Sequence, residues 1–150
     1  MGANLGADLP ATLTQAALQL AALPGTQVAA LSSVWRSAPV DAGGPDFLNA
    51  VAALDTTLAP LDLLDALQAI ELAHGRERPY RNAPRTLDLD MLLYDDLVLD
   101  TPRLTLPHPR LGQRAFVLRP LLEIAPELVC LAVGEDWHAQ RIERFGPLSL

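Results

Sequence analysis

The stretch from Leu87 to Tyr94, Leu-Asp-Leu-Asp-Met-Leu-Leu-Tyr, restricts the possible folds more than any other part of the chain. Apolar and acidic residues alternate at its start, which is the pattern of a β-strand with one buried face. Asp88 and Asp90 lie two residues apart, so both carboxylates point to one face, about 7 Å apart at Cα. Two ionised carboxylates this close repel each other unless a cation lies between them. The pattern therefore predicts either a solvent-open sheet face, with the leucines and Met91 pointing inward, or a site for a divalent ion.

The order of the other elements indicates an α+β fold. Apolar spacing and turn residues predict helices over residues 9–23 and 61–74, and strands over 28–36, 47–57 and 87–94. This order is typical of an antiparallel sheet covered by helices on one face, and it matches the ferredoxin-like βαββαβ pattern apart from its first strand. We expect that strand to be missing from the chain, because Met1–Gly6 has the composition of a loop. Short helices and proline-punctuated loops are expected over the C-terminal third.

Length and composition restrict the class of protein further. The chain has 150 residues, which is enough for one domain, residues 1–150, with a proper core. A net charge of −7 argues against general binding to nucleic acids or anionic membranes, and all 11 basic residues are arginine. The single cysteine, Cys130, forms no intrachain disulfide. Since the sequence has neither an apolar run of membrane-spanning length nor a signal-peptide pattern, a cytoplasmic protein is expected, and its size is compatible with a monomer.

An arginine-rich segment leads directly into the two aspartates. Residues 74–85 contain four arginines, at positions 76, 78, 81 and 85. Such a run is often a solvated loop. Arginine also binds phosphate oxygens through two parallel N–H donors, and magnesium held by carboxylates bridges phosphates. The combination predicts a polyphosphate site, with a nucleoside triphosphate as the first candidate, although the sequence has neither a P-loop motif nor protein-kinase signatures.

Two smaller clusters add candidate binding residues. His108 stands between two prolines, with Arg103 and Arg114 close in sequence, so it is either a structural histidine or a contact to phosphate or ribose. Phe47 and Asn49 share one face of the predicted strand over 47–57. An aromatic ring beside an amide can stack on a flat heterocycle and pair with its edge, whereas a core phenylalanine in an ordinary strand is the simpler interpretation.

Taken in order, these clusters resemble the 6-hydroxymethyl-7,8-dihydropterin pyrophosphokinases of folate biosynthesis. The most specific similarity is RNAPRTLDLDML at residues 81–92. Further similarities are GANLG at 2–6, SSVWR at 32–36, PDFLNA at 45–50, IE at 70–71 with GR at 75–76, RLTLPH at 103–108, and PLLEIAPE at 120–127. The resemblance extends from residue 2 to about residue 131.

The resemblance implies a fold and a reaction. Enzymes of this family have a ferredoxin-like fold and transfer the β,γ-pyrophosphoryl group of ATP to the hydroxymethyl group of a reduced pterin, releasing AMP. By the same resemblance, Asp88 and Asp90 would hold two Mg²⁺ ions that bridge the phosphates of ATP. Arg76 and Arg85 would be the catalytic residues that stabilise charge on the transferred group.

The resemblance also implies two sets of substrate contacts. The residues on the ATP side would be Gln68, Glu71, Arg78, Arg85, Met91, Arg103, Leu104, Thr105, His108 and Arg114. The residues on the pterin side would be Ser37, Ala38, Val40, Phe47, Asn49 and Phe116. In the second set the two phenylalanines would sandwich the ring, and the amide would read its edge together with backbone groups.

The chain departs from the family pattern in three places. Family members carry a β-strand before the Gly-Ala-Asn-Leu-Gly loop, and its loss would leave partners unpaired and a groove in the core. The arginine loop is one residue shorter than in some members, with Asn82 where some carry tryptophan. Phe47 stands where tyrosine is frequent.

Two other classes of function stay open on the sequence. One is a different magnesium-dependent nucleotidyl or glycosyl transferase that uses the Asp-x-Asp pair. The other is a non-catalytic or decayed nucleotide-binding module with a ferredoxin-like fold. Release of AMP would exclude the first, and ATP binding without turnover would favour the second.

Overall fold

The computed structural model of the chain describes residues 1–3, 9–37, 46–74, 87–131, 137 and 140–148, without the side chains of Leu9 and Val129. Within these ranges the elements follow in this order: β1 (Gly2–Ala3), α1 (Leu9–Ala21), β2 (Thr26–Leu31), β3 (Val34–Ser37), β4 (Phe47–Asn49), β5 (Ala52–Thr56), α2 (Pro60–Ala73), β6 (Leu99–Asp100), β7 (Thr105–Leu106), α3 (Ala115–Ile124), a 3-10 helix (Pro126–Leu131) and β8 (Ile142–Gly146). The fold is a mixed α/β arrangement with antiparallel sheets.

The strands form three sheets within the described ranges. The largest has the order β1-β4-β3-β8, and two-stranded sheets are formed by β2 with β5 and by β6 with β7. In the largest sheet Gly2 lies opposite Asn49, and Gly2 also forms an isolated bridge with Asp88 on its other edge. The Gly2 N–H donates to the Asp88 carbonyl at 2.9 Å, and the Asp88 N–H donates to the Gly2 carbonyl at 2.7 Å. The bridge joins the predicted acidic strand to the sheet.

The two long helices confirm the prediction from apolar spacing. Helix α1 ends at Ala21, ahead of a turn in which Gly25 has a φ of +60°, a value that favours glycine. Helix α2 begins at Pro60, a favoured first helical residue because its missing N–H has no partner in the helix. Both helices contribute apolar side chains to one buried cluster with the 87–91 segment; its members include Leu13, Ala16, Leu20, Leu63, Leu67, Ile70, Leu87, Leu89 and Met91.

Each of the first two predicted strands is broken in two, so the prediction of continuous strands over 28–36 and 47–57 is wrong at the centre. Ser32 and Ser33 separate β2 from β3, and Ala50 and Val51 separate β4 from β5. The Ser32 N–H donates to the Val51 carbonyl at 2.9 Å, whereas the Val51 N–H donates to the Ser32 side-chain oxygen at 2.8 Å. The serine hydroxyl thus replaces a backbone acceptor, which interrupts the regular ladder.

Three other predictions need correction or refinement. The loop predicted for Met1–Gly6 is wrong at Gly2 and Ala3, which form β1, and residues 4–6 lie outside the described ranges. The 87–94 segment pairs as a strand only at Asp88, within the part of the chain that is described. The C-terminal third contains β8, which pairs with β3, in addition to the expected helical turns.

Helix α3 lies over the largest sheet and builds a second apolar cluster. It packs on β3 and β4, and Leu118 and Leu121 are buried beside Trp137. The arrangement places the N-terminus of α3 near the end of the sheet that carries Phe47. Among the described residues no helix combines the length and the apolar character needed to cross a membrane.

Candidate active site

A single cleft with a volume of about 1140 Å³ brings together side chains from the sheet, the 87–95 segment and the start of α3. Nine of the residues predicted from the sequence line it: Ser37, Phe47, Asn49, Asp88, Asp90, Met91, His108, Arg114 and Phe116. The phenylalanines and the amide come from the predicted pterin side, whereas the aspartates, the histidine and the arginine come from the predicted phosphate side. The two sets of residues therefore share one cavity.

The two aspartates lie on the open side of the 87–91 segment. Leu87, Leu89 and Met91 are buried, while Asp88 is half-buried and Asp90 is exposed, which confirms the alternation expected from the sequence. Both carboxylates line the cleft. Hydrogen bonds fix the backbone between them on both edges: Asp88 pairs with Gly2 on one edge, and the Leu89 N–H donates to a side chain of helix α2 on the other.

That other partner is Glu71 of helix α2. Its side chain is 2% exposed, and its Oε2 accepts the Leu89 N–H at 2.9 Å. A buried carboxylate that accepts a backbone N–H acts as a fixed anchor for the segment. Glu71 thus lies behind the aspartate pair and outside the lining of the cleft as the described residues form it.

Arg114 joins the acidic end of the cleft to the aromatic end. It is the N-cap residue of α3, and its guanidinium carbon lies 5.2 Å from the centre of the Phe116 ring. Burial and the charge of Arg110 lower the pKa of Arg114, while Asp90 and Asp88 act to raise it. The guanidinium therefore lies within electrostatic reach of both carboxylates while it contacts the ring.

The aromatic end is built on β4 and α3. Phe47 and Phe116 are half-buried, and Asn49 is 9% exposed. Ser37 lies opposite Phe47 in the register of β3 and β4. Gly2 packs so closely on Asn49 that a Cβ atom at Gly2 would collide with the amide oxygen. Two rings and a tightly packed amide therefore line this end of the cleft, and this combination of side chains suits a flat, hydrogen-bonding heterocycle. The end of the cleft lined by Phe47, Asn49 and Phe116 is called the ring slot below.

His108 is fixed by its own loop. Its N–H donates to the Leu92 carbonyl at 2.9 Å, and its Nδ1 accepts the Arg110 N–H at 3.2 Å. In a neutral ring this contact leaves the proton on Nε2, which can donate to a ligand in the cleft. Arg110 also lines the cleft, and sequence reasoning missed it. Its signal was its position two residues after His108 in an otherwise acidic chain.

The other predicted ATP-side residues in the described ranges do not line this cleft. Gln68 is exposed on α2, and Thr105 lies in β7. Arg103 donates to Asp65 at 2.6 Å in an exposed ion pair, and Leu104 is buried. The remaining predicted residues, Arg76, Arg78, Arg85, Ala38 and Val40, lie outside the described residues.

The carboxylates at the acidic end suit magnesium better than a metal held entirely by protein. In the described part of the chain no group of three or more His, Cys, Asp or Glu side chains could hold a metal ion. Asp88 and Asp90 supply two hard oxygen donors, and magnesium commonly takes one or two carboxylates and completes its shell with phosphate oxygens and water. The donor set therefore fits magnesium bound together with a phosphate ligand.

Comparison with known proteins identifies the family. A family model described as 7,8-dihydro-6-hydroxymethylpterin-pyrophosphokinase (HPPK) matches residues 1–126. The chain belongs to the HPPK family. The match extends from β1 past the end of α3 and includes all nine predicted residues that line the cleft, so the family assignment and the cleft concern the same part of the chain.

Three curated relatives of this HPPK-family chain carry the name 2-amino-4-hydroxy-6-hydroxymethyldihydropteridine pyrophosphokinase. The Pseudomonas aeruginosa protein is 54% identical over 130 residues, which cover 85% of this chain and 79% of that protein. The Methylorubrum extorquens protein is 46% identical over 151 residues, which cover 100% of this chain and 93% of that protein. The Pseudomonas putida protein is 52% identical over 109 residues, which cover 72% of this chain and 89% of that protein.

Proposed function

We propose that the chain transfers the β,γ-pyrophosphoryl group of ATP to the hydroxymethyl group of 6-hydroxymethyl-7,8-dihydropterin and releases AMP, as a step of tetrahydrofolate biosynthesis. The observation that carries the proposal is the shared cleft, in which an aromatic and amide end adjoins a carboxylate and arginine end. Membership of the HPPK family and the names of the relatives support the same reaction.

At the acidic end the residues bind and orient the triphosphate. Asp88 and Asp90 would hold the two proposed Mg²⁺ ions, which supply positive charge to the phosphate oxygens as the reaction proceeds. Arg114 and the Nε2 of His108 would bind phosphate or ribose oxygens, and their presence in the lining of the cleft supports this role. The catalytic roles of Arg76 and Arg85, and the ATP contacts of Gln68, Arg78, Arg103, Leu104 and Thr105, remain part of the proposal.

At the aromatic end the residues select a flat ring. Phe47 and Phe116 would stack on the two faces of the pterin, and the Asn49 amide would pair with its edge. A buried amide that needs a partner rejects rings without matching donors and acceptors, because such rings leave the amide unpaired. Backbone groups around Ser37, Ala38 and Val40 complete the proposed pterin site.

The reaction itself requires positioning more than covalent chemistry. The hydroxymethyl oxygen forms a bond to the β-phosphorus while the bond between that phosphorus and the oxygen bridging to the α-phosphate breaks. The leaving group is AMP, and the hydroxyl proton is lost to solvent or to a phosphate oxygen. The contribution of this chain is to place the hydroxymethyl group beside the triphosphate, with Arg114 at the junction.

We further propose that the chain is a single domain of ferredoxin-like fold that acts as a monomer in the cytoplasm. Strands β2 and β3 pair antiparallel with β5 and β4, respectively, and α2 separates these four strands in sequence from the 87–94 segment. This order of elements supports that topology. ATP is a cytoplasmic metabolite, which supports the location. Elution of the purified chain as a dimer or larger assembly in size-exclusion chromatography would refute the monomer.

Product analysis tests the proposed reaction. The purified chain is incubated with ATP, Mg²⁺ and 6-hydroxymethyl-7,8-dihydropterin, and AMP is separated from ADP by ion-exchange chromatography. We expect AMP in amounts equal to the pterin diphosphate formed, and none without pterin. Pterin-dependent ADP would show a simple kinase instead, and nucleotide binding without either product would favour a binding module.

A further inference from the structure

A second polar cluster lies outside the cleft, where helix α3 crosses the start of strand β3. The Glu123 carboxylate accepts three hydrogen bonds there: Oε2 accepts the Ser33 N–H at 2.9 Å and the Ser33 hydroxyl at 2.7 Å, and Oε1 accepts the Trp35 indole N–H at 3.0 Å. From β8, the Arg144 Nε–H donates to the Ser33 hydroxyl oxygen at 2.8 Å. One carboxylate therefore ties α3 directly to β3 and, through Ser33, to β8.

Helix α3 connects this cluster to the aromatic end of the cleft. Glu123 lies seven residues after Phe116, which is two helical turns, so both side chains project from one helix face about 10 Å apart along the axis. The chain covers roughly 13 Å from Ser33 through strand β3 to Ser37, which lines the cleft with Phe116. The helix and the strand are thus joined at one end by Glu123 and separated at the other end by the ring slot.

The cluster depends on a carboxylate in its ionised form. Burial acts to raise the pKa of Glu123, but the hydrogen bonds from Ser33 and Trp35 and the charge of Arg144 lower it on balance below its ordinary value. An ionised carboxylate accepts hydrogen bonds at both oxygens. A glutamine amide at this position would have one acceptor oxygen and would turn an NH₂ group toward Ser33 or toward the indole N–H.

We propose that Glu123 is a positioning residue that sets the width of the ring slot by clamping α3 onto β3. The proposal rests on the proposed function, since the ligand that it concerns is the reduced pterin. Glu123 acts through Phe116, which α3 carries into the slot, and through Trp35, which lies opposite Asn49 in the register of β3 and β4. Loosening the clamp changes the distance between the Phe116 ring and the Asn49 amide, whereas Asp88 and Asp90 lie on a segment outside α3 and keep their positions.

Steady-state kinetics of pterin-dependent AMP formation test the clamp. For Glu123→Gln we expect KM for pterin to rise about tenfold, which corresponds to the loss of one charge-assisted hydrogen bond, with KM for ATP and kcat within about twofold of wild type. Trp35→Phe removes one of the three donors and keeps a ring, so it should raise KM for pterin by a smaller factor, about threefold. Glu127→Gln, at an exposed position in the following 3-10 helix, removes the same charge and should change neither constant.

Several results would overturn the clamp: an unchanged KM for pterin in both variants, an equal rise in both KM values, or a loss of kcat alone. Thermal melting of each variant shows whether it is folded, and if Glu123→Gln does not fold, Trp35→Phe alone decides. Absence of AMP with the wild-type chain refutes the proposed function instead. In that event binding of the pterin is measured through the fluorescence of the pterin itself. The ratio of Kd between each variant and wild type then replaces the ratio of KM and still tests the clamp.

Discussion

Gly2 lies where the two ends of the cleft meet. Its backbone faces Asn49 on one edge and pairs with Asp88 on the other. The space beside its Cα is filled by the Asn49 amide. A residue without a side chain therefore lets the Asn49 amide and the segment that carries Asp88 approach each other.

The first prediction at the residue scale concerns Gly2→Ala. The new methyl group must displace the Asn49 amide, so KM for pterin should rise about tenfold, the equivalent of one hydrogen bond, with a smaller change in KM for ATP. Gly146→Ala is the matched control, because a Cβ atom at Gly146 meets nothing within 4 Å. Equal kinetics for Gly2→Ala and Gly146→Ala would show that Asn49 does not read the pterin.

The second prediction concerns Asp90→Asn, which keeps the shape of the side chain and removes its charge. Since the carboxylate is proposed to hold Mg²⁺ on the triphosphate, kcat for AMP formation should fall roughly 100-fold or more, and the Mg²⁺ concentration for half-maximal rate should rise. Asp96→Asn, an exposed aspartate in the turn that follows, serves as the control. Activity and Mg²⁺ dependence unchanged by Asp90→Asn would refute the proposed metal site.

Single-residue predictions from the sequence succeeded where a local rule determines the outcome. The alternation of Leu87 to Met91 determines which side chains face out, because successive side chains of an extended chain point to opposite faces. The role of Gly2 was not predictable, because it depends on Asn49, a residue 47 positions later in the chain that the sheet brings alongside. The hydrogen bonds of Glu123 were not predictable for the same reason, because their donors, Ser33 and Trp35, lie 90 and 88 positions earlier in the chain.

At the scale of elements, helix α2 supports the acidic segment from behind. Glu71 projects from the buried face of α2 and accepts the Leu89 N–H, while Gly2 pairs with Asp88 from β1. The backbone between the two aspartates is thereby fixed by two different elements. Such fixing keeps both carboxylates on one face, although the segment pairs only through the isolated bridge at Asp88 among the described residues.

The third prediction tests that support. Glu71→Ala leaves the buried Leu89 N–H without this acceptor, so the free energy of unfolding, measured by urea titration, should fall by about 2 kcal/mol or more. Glu71→Gln retains an acceptor oxygen and should lose less. If both substitutions leave the unfolding free energy and the Mg²⁺ dependence unchanged, α2 does not hold the segment.

The fourth prediction concerns pH and the attachment of α3 to β3. The pKa of Glu123 is lowered in the folded chain from an ordinary value of 4.5, so its contribution to stability is present above pH 4.5 and is lost as pH falls through the lower, folded value. The charged group that acts on it in the described structure is Arg144 of β8. The difference in unfolding free energy between wild type and Glu123→Gln should therefore shrink as pH falls below 4.5. A constant difference across that range would contradict an ionised Glu123 in the clamp.

Elements were predictable where one periodic pattern ran long enough. Helices α1 and α2 follow from apolar spacing over three or more turns. The breaks at Ser32–Ser33 and Ala50–Val51 were not visible, because serine and small apolar residues fit a continuous strand as well as an interrupted one. Strand β8 was missed because its pairing with β3 joins residues more than 100 positions apart, and Ile142–Gly146 shows little alternation by itself.

At the scale of the whole molecule, the cleft exists because three separate parts of the chain converge. Strand β4 brings Phe47 and Asn49, the 87–91 segment brings the aspartates, and α3 brings Phe116 with Arg114 at its start. Each part by itself is also compatible with a purely structural role, such as a core phenylalanine or a solvent-open sheet face. The resemblance to the HPPK family came from the order of these parts along the chain. The family match over residues 1–126 agrees with that resemblance, while the distances between the parts became available only from the structure.

The proposed reaction requires that one cleft holds both substrates side by side. Titration calorimetry of the chain with a non-hydrolysable ATP analogue, Mg²⁺ and 6-hydroxymethyl-7,8-dihydropterin measures this directly. We expect that one molecule of each binds at the same time, that Phe116→Ala weakens pterin binding, and that Asp90→Asn weakens nucleotide binding. Mutually exclusive binding of the two ligands, or weakening of both ligands equally by either substitution, would contradict it.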